Sequence, residues 1–103
     1  MTNQAVLGSN NNRVGPILRS SDITEAIIEA VHEDNPGKDI RVDDKLAYVR
    51  IDTDNELIIR QKTLEKMIGR PFSIAELEIH LGSFAGRIET TSEHMRFYFN
   101  KTV

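Results

Sequence analysis

The sequence predicts an α+β fold: two strand-helix-strand-strand units, with helices packed on largely antiparallel sheet. Two periodicities and their order carry this reading. Apolar residues recur at helical spacing in Ile23, Ala26, Ile27, Ala30 and Val31. They alternate with polar residues, as on a half-buried strand, in Ile40 and Val42 and again in Ala47, Val49 and Ile51. Along the chain the order runs strand, helix, strand, strand, then strand, helical pair, strand, strand. No residue-level repeat lies beneath it. Helices are therefore expected on one side of the sheet, with strand order left open.

Residues 1–12 are rich in Asn, Ser and Gln and offer little to bury, which predicts a mobile tail ahead of one domain at 13–103. Val14 to Arg19 reads as a strand, and Pro16, which cannot donate to a ladder, places it toward a sheet edge. The helix from Asp22 has Asp22 and Glu25 at capping-box spacing. It ends at Asp34 or Asn35, because Pro36 disfavours helical geometry in the residue before it and Gly37 suits a turn. Asp43-Asp44-Lys45 then turns between two strands, Thr53-Asp54-Asn55 turns again, and Leu57 to Ile59 forms a fourth strand. Thr63 to Ile68 is a short helix closed by Gly69, and Pro71 prevents its continuation. Ser73 and Glu76 make a second capping box ahead of Ile74, Leu77 and Leu81. Gly82 and Gly86 bracket a loop carrying Phe84. Arg87 to Thr90 and Met95 to Phe99 close the fold as a hairpin, with Met95, Phe97 and Phe99 on one face.

Length and charge narrow the function. A chain of 103 residues supports one core. Sixteen acidic against thirteen basic residues give a formal charge of -3, an average field that repels nucleic acid and anionic membranes. The absence of cysteine removes disulfides, thiolate metal sites, iron-sulfur clusters and cysteine nucleophiles together. The N-terminal residues lack the charged and apolar regions of a signal peptide, and no apolar run is long enough to cross a bilayer, so a soluble, cytoplasmic protein is expected.

Three stretches offer chemical candidates. Glu29-x-x-His32 has the i, i+3 spacing that di-iron proteins place on two of their helices. A di-iron site needs two such pairs and two further glutamates, whereas here one pair lies on the face opposite the apolar stripe, so a solvated polar face is the better reading. Gly82-Ser83-Phe84-Ala85-Gly86 superficially resembles a nucleophile elbow, but the serine is misplaced and the flanking order is reversed. Arg96-Phe97-Tyr98-Phe99 offers aromatics for base stacking in a small nucleic-acid-binding module, the runner-up reading. The basic glycine-aromatic signature is absent, and the alternation fits core residues.

What stands out is a set of rigid small-residue turns, Asn35-Pro36-Gly37-Lys38, Gly69-Arg70-Pro71-Phe72 and Gly82 to Gly86, since loops on a firm scaffold are where recognition residues concentrate. With Val14-Gly15-Pro16-Ile17, Ala47-Tyr48-Val49-Arg50-Ile51, Thr63-Leu64-Glu65, Glu76-Leu77-Glu78-Ile79 and Arg96-Phe97-Tyr98-Phe99 they form an ordered series from about Asn11 onward. In this series the chain resembles the effector proteins of bacterial multicomponent di-iron monooxygenases, the toluene monooxygenase branch above all, with phenol hydroxylase and methane monooxygenase regulatory proteins more distant.

The resemblance implies a protein with no cofactor and no catalytic residues of its own that docks on a di-iron hydroxylase, and a monomer when free is the default expectation. NADH, a reductase and a Rieske ferredoxin supply electrons in such systems. The effector accelerates and couples hydroxylation and tunes which ring position is attacked. Neither nucleic acid nor membrane is an expected partner. Loop chemistry nominates Asn35, Pro36 and Gly37 as partner contacts, with Arg70, Pro71, Phe72, Ser83 and Phe84 behind them. On that basis Asn35 is expected to be replaceable without loss of stability.

Overall fold

A computed structural model describes residues 12–99; the tail expected at residues 1–12 lies outside them except for Asn12. The elements are β1 (Arg13–Arg19), α1 (Thr24–Asp34), β2 (Arg41–Asp44), β3 (Tyr48–Asp54), β4 (Glu56–Arg60), α2 (Gln61–Ile68), α3 (Ile74–His80), β5 (Leu81–Ala85), β6 (Arg87–Thr90) and β7 (His94–Tyr98). The fold is α+β as expected. Its strands pair antiparallel in two sheets, ordered β2-β3-β1-β5 and β4-β7-β6.

Pro16 does not mark an edge. β1 is bordered by β3 on one side and β5 on the other. Pro16 lies opposite Phe84 of β5 and, having no N–H, falls where the β1–β3 pairing is interrupted. The β1–β3 register accordingly skips from Val14 opposite Thr53 to Ile17 opposite Arg50. One ladder bond is given up and the strand stays central. Gly15 sits in the same gap with φ 149°, where a Cβ would lie 2.0 Å from the Ile51 carbonyl oxygen, so the two backbones meet where only glycine fits.

α1 buries Ile27, Ala30 and Val31 and exposes Glu25, Glu29, His32 and Glu33, as its apolar period requires. It starts later than expected, with Ile23 as its N-cap and no capping side chain. The Asp22–Glu25 box does not form because two hydroxyls hold the entry turn: Ser21 N donates to Thr24 Oγ1 (2.9 Å) and Ile23 N to Ser21 Oγ (3.3 Å). The box at α3 does form, with Glu76 N donating to Ser73 Oγ and Ser73 N to Glu76 Oε1, both at 3.0 Å. Gly69 closes α2 in the left-handed region, φ 87°.

Two expectations about strands change. The loop expected between Gly82 and Gly86 is β5, an edge strand stitched to β1 with a bulge between Ile17 and Leu18. Val42, expected on a buried face, is exposed because β2 is the opposite edge. Between the sheets the chain turns on one residue, Asn55 (φ 71°), whose N–H donates to Asn12 O (3.0 Å) and whose carbonyl accepts from Phe99 N (2.9 Å). The sheets and helices share one core: Val14 and Leu18, Val49 and Ile51, Leu57 and Ile59, Met95 and Phe97 pack with Ile27, Val31, Leu64, Phe72, Ile74 and Leu77. Phe99, expected with Met95 and Phe97, is exposed. No described helix is long and apolar enough to cross a membrane.

Candidate docking surface

The turn after α1 is built differently from a recognition loop. β4 has β7 on one side only, so the outward backbone groups of alternate residues need partners. Side chains of Asp34, Asn35 and Lys38 supply them. Lys38 Nζ donates to Glu56 O (2.5 Å) and Asp54 O (3.1 Å). Asn35 Nδ2 donates to Ile58 O (2.8 Å) while its Oδ1 accepts from Ile58 N (2.9 Å). Asp34 Oδ2 accepts from Arg60 N (2.8 Å), and its other oxygen accepts from the Thr63 hydroxyl (2.7 Å). The motif is a covering for the edge of β4.

Asn35 is therefore not an available contact: it is 6 % exposed, and its Nδ2 also reaches Val31 O at 2.7 Å. The expectation that it can be replaced at no cost in stability is overturned by these bonds. Pro36 and Gly37 beside it are exposed.

At the second corner Phe72 is buried in the core while Arg70 and Pro71 are exposed. Phe72 N donates to Glu65 Oε2 (3.0 Å), and the Arg70 guanidinium lies 5.3 Å from the Phe72 ring centroid and 3.5 Å from Glu76. On β5, Ser83 is exposed, and Phe84 turns partly inward to stack against Phe97 at 5.9 Å between centroids. Among the described residues no hydrogen bond, ion pair or ring contact joins these three groups to one another. Glu29 and His32 are exposed, with His32 Nδ1 3.0 Å from Ile28 O, and no group of three or more His, Asp or Glu among the described residues is placed to hold an ion.

The outer face of the four-stranded sheet divides into two halves. One is sealed by ion pairs: Asp52, opposite Gly15 and almost wholly buried, takes Arg13 Nη2 at 2.6 Å and Arg41 Nε at 3.3 Å, and Asp54 takes Arg13 Nη1 at 3.4 Å. Burial pulls the Arg13 guanidinium's pKa down. The hydrogen bond that it donates to Asp52 and the charges of Asp52, Asp54 and Asp39 more than reverse this, so it ends above its ordinary value.

The other half is open. Arg19 and Tyr48 face each other across β1 and β3, as do Ile17 and Arg50. A Cβ on Gly82 would lie 3.1 Å from Tyr48 Cε1, so the Tyr48 ring rests where β5 has no side chain. Ser20 Oγ bonds Leu46 O, and Arg19 Nη1 donates to Ile79 O (2.8 Å), which ties the β2–β3 hairpin tip and α3 to this half. Neither Arg19 nor Arg50 has an ion-pair partner among the described residues. Nothing in the sequence periodicity marks this half: only the register shows which strand residues share the outer face.

Known proteins resemble the chain over its whole described length. The effector subunit of the alkene monooxygenase system of Xanthobacter autotrophicus (strain ATCC BAA-1158 / Py2) is 38% identical over 99 residues, 96% of this chain and 98% of that protein. A chain of a phenol hydroxylase–regulatory protein complex superposes with a TM-score of 0.75 at 30% identity, covering 85% of this chain and 99% of that one. The soluble methane monooxygenase regulatory protein B shares the fold, with a TM-score of 0.66 over 87% of this chain and 67% of that one, at 19% identity. The MmoB/DmpM family pattern matches residues 12–98, a span that takes in every element from β1 to β7, and the chain belongs to that family.

Proposed function

We propose that this chain is a non-catalytic effector of a multicomponent monooxygenase, acting by binding its di-iron hydroxylase. The observation that carries this reading is near full-length identity to an effector subunit, 38% over 99 residues. A ligand shifts an equilibrium only through its differential affinity for two states. An effector of this kind works by favouring one hydroxylase conformation. A difference of about 2 kcal/mol changes populations roughly thirtyfold. Residues 13–103 form the effector unit, and Pro36, Gly37, Arg70, Pro71, Ser83 and Phe84 are contact positions that retain exposure. Electrons reach the hydroxylase from NADH through a reductase and a Rieske ferredoxin. The effector raises rate and coupling and tunes regiospecificity.

The substrate on this reading is an arene such as toluene. The name of the Xanthobacter relative favours a second, a small alkene. The test is to add the purified protein to a reconstituted hydroxylase with its electron-transfer partners and to measure product per NADH with toluene and with propene. The expected result is more product and tighter coupling with one substrate class. Turnover and product distribution indifferent to the protein in every such oxygenase would overturn the proposal.

A further inference from the structure

We infer that the open half of the four-stranded sheet, centred on Tyr48 and bounded by Leu46, Ile79, Arg19 and Arg50, is a further contact area on the hydroxylase, separate from the turn positions named above, and meets an apolar surface rimmed by carboxylates. The inference rests on the effector reading above. Three observations converge on it. Leu46 is 86 % exposed, Ile79 71 % and Tyr48 47 %, which gathers the most exposed large apolar side chains among the described residues at one end of the molecule. Leu46 also holds the left-handed conformation, φ 70°, which a leucine adopts only against a steric cost, so this side chain is held out by a strained turn that any asparagine or glycine forms more easily. The patch also carries guanidinium groups: among the described residues Arg19 and Arg50 have no carboxylate partner, while Asp43, which faces Arg50 across β2 and β3, is engaged by Lys45 at 3.6 Å and Asp44 accepts from Leu46 N at 2.8 Å.

Charge complementarity selects the occupant. Exposed arginines beside an aromatic ring fit carboxylates around an apolar depression. A second copy meeting this face about a two-fold axis sets arginine against arginine.

The test titrates the reconstituted hydroxylase with wild type, Arg50→Glu, Leu46→Asn and, as a control of equal charge change in the other layer, Lys62→Glu. Expected are half-saturating concentrations raised at least about tenfold for Arg50→Glu and about tenfold for Leu46→Asn, with Lys62→Glu within about twofold of wild type. Leu46→Asn should unfold at no lower temperature than wild type, which separates docking from folding. Activation by wild type with both face variants within about twofold of it overturns the inference and leaves the effector reading standing. A dimer in sedimentation that Arg50→Glu or Leu46→Asn dissolves assigns the face to a second copy and overturns it too. No activation by wild type removes the effector reading and this inference together.

Discussion

Asn35 holds both main-chain polar groups of Ile58, its amide nitrogen donating to the Ile58 carbonyl at 2.8 Å and its amide oxygen accepting from the Ile58 N–H at 2.9 Å. A side chain here does what a neighbouring strand does elsewhere, and it fixes the end of α1 to the edge of β4.

Asn35→Ala should therefore destabilise the fold by about 2–4 kcal/mol, because the Ile58 peptide and the Val31 carbonyl lose partners in a place with little water. A urea midpoint within error of wild type would contradict this account.

Phe72→Ala should cost about 3–5 kcal/mol, the range for emptying a large buried site, whatever it does to activation. Its exposed neighbour provides the contrast. Arg70→Ala should stay within about 0.5 kcal/mol in the same melt, so a weakened response of the hydroxylase to that variant reports contact rather than unfolding.

Gly15→Ala should destabilise by about 3 kcal/mol or prevent folding, since the added carbon collides with backbone, the Ile51 carbonyl, and not with a side chain that can move aside. Ordinary yield and thermal stability of that variant would show that β1 and β3 are less close than described.

Ser73→Ala removes the acceptor for Glu76 N and should cost about 1 kcal/mol, felt at α3. Amide exchange checks it: protection should fall at Glu76 first.

The Arg13 clamp predicts a flat pH profile. A cation whose folded pKa is raised contributes fully below its unfolded value and loses that contribution only as pH rises through the folded one. The folded value is raised above the ordinary arginine value, and both lie far above neutrality. The stability cost of Arg13→Ala should be the same at about pH 6 and about pH 9, and a cost that disappears by the higher value would assign the clamp to another group.

The parts legible in the sequence are those set by neighbours in the chain. The stripe from Ile23 to Val31, the Ser73–Glu76 box and the Gly69 terminus each depend on residues within a turn or two, and each stands as expected. In the sequence β5 reads as a loop because Leu-Gly-Ser-Phe-Ala shows no alternation, and what makes it a strand is β1, more than sixty residues earlier. Pro16 is misleading for the same reason: the donor it lacks is tolerated in a central strand because the gap in the β1–β3 register falls at Gly15 and Pro16, where the chain lies close to Ile51. The candidate site was legible as a set of turns but not as a surface. Asn35 resembles a recognition residue in sequence and proves to be a ladder partner, while Leu46 and Ile79 are exposed only because the hairpin and α3 end where they do.

The covering of β4 carries a consequence for life outside the complex. An open rung on a sheet invites any passing extended peptide to add itself and, repeated, to grow a fibre. With Asp34, Asn35 and Lys38 occupying those rungs, that border has nothing to offer a stranger. On the effector reading, a subunit that binds a larger partner is thereby protected at this border from pairing with its own kind while free.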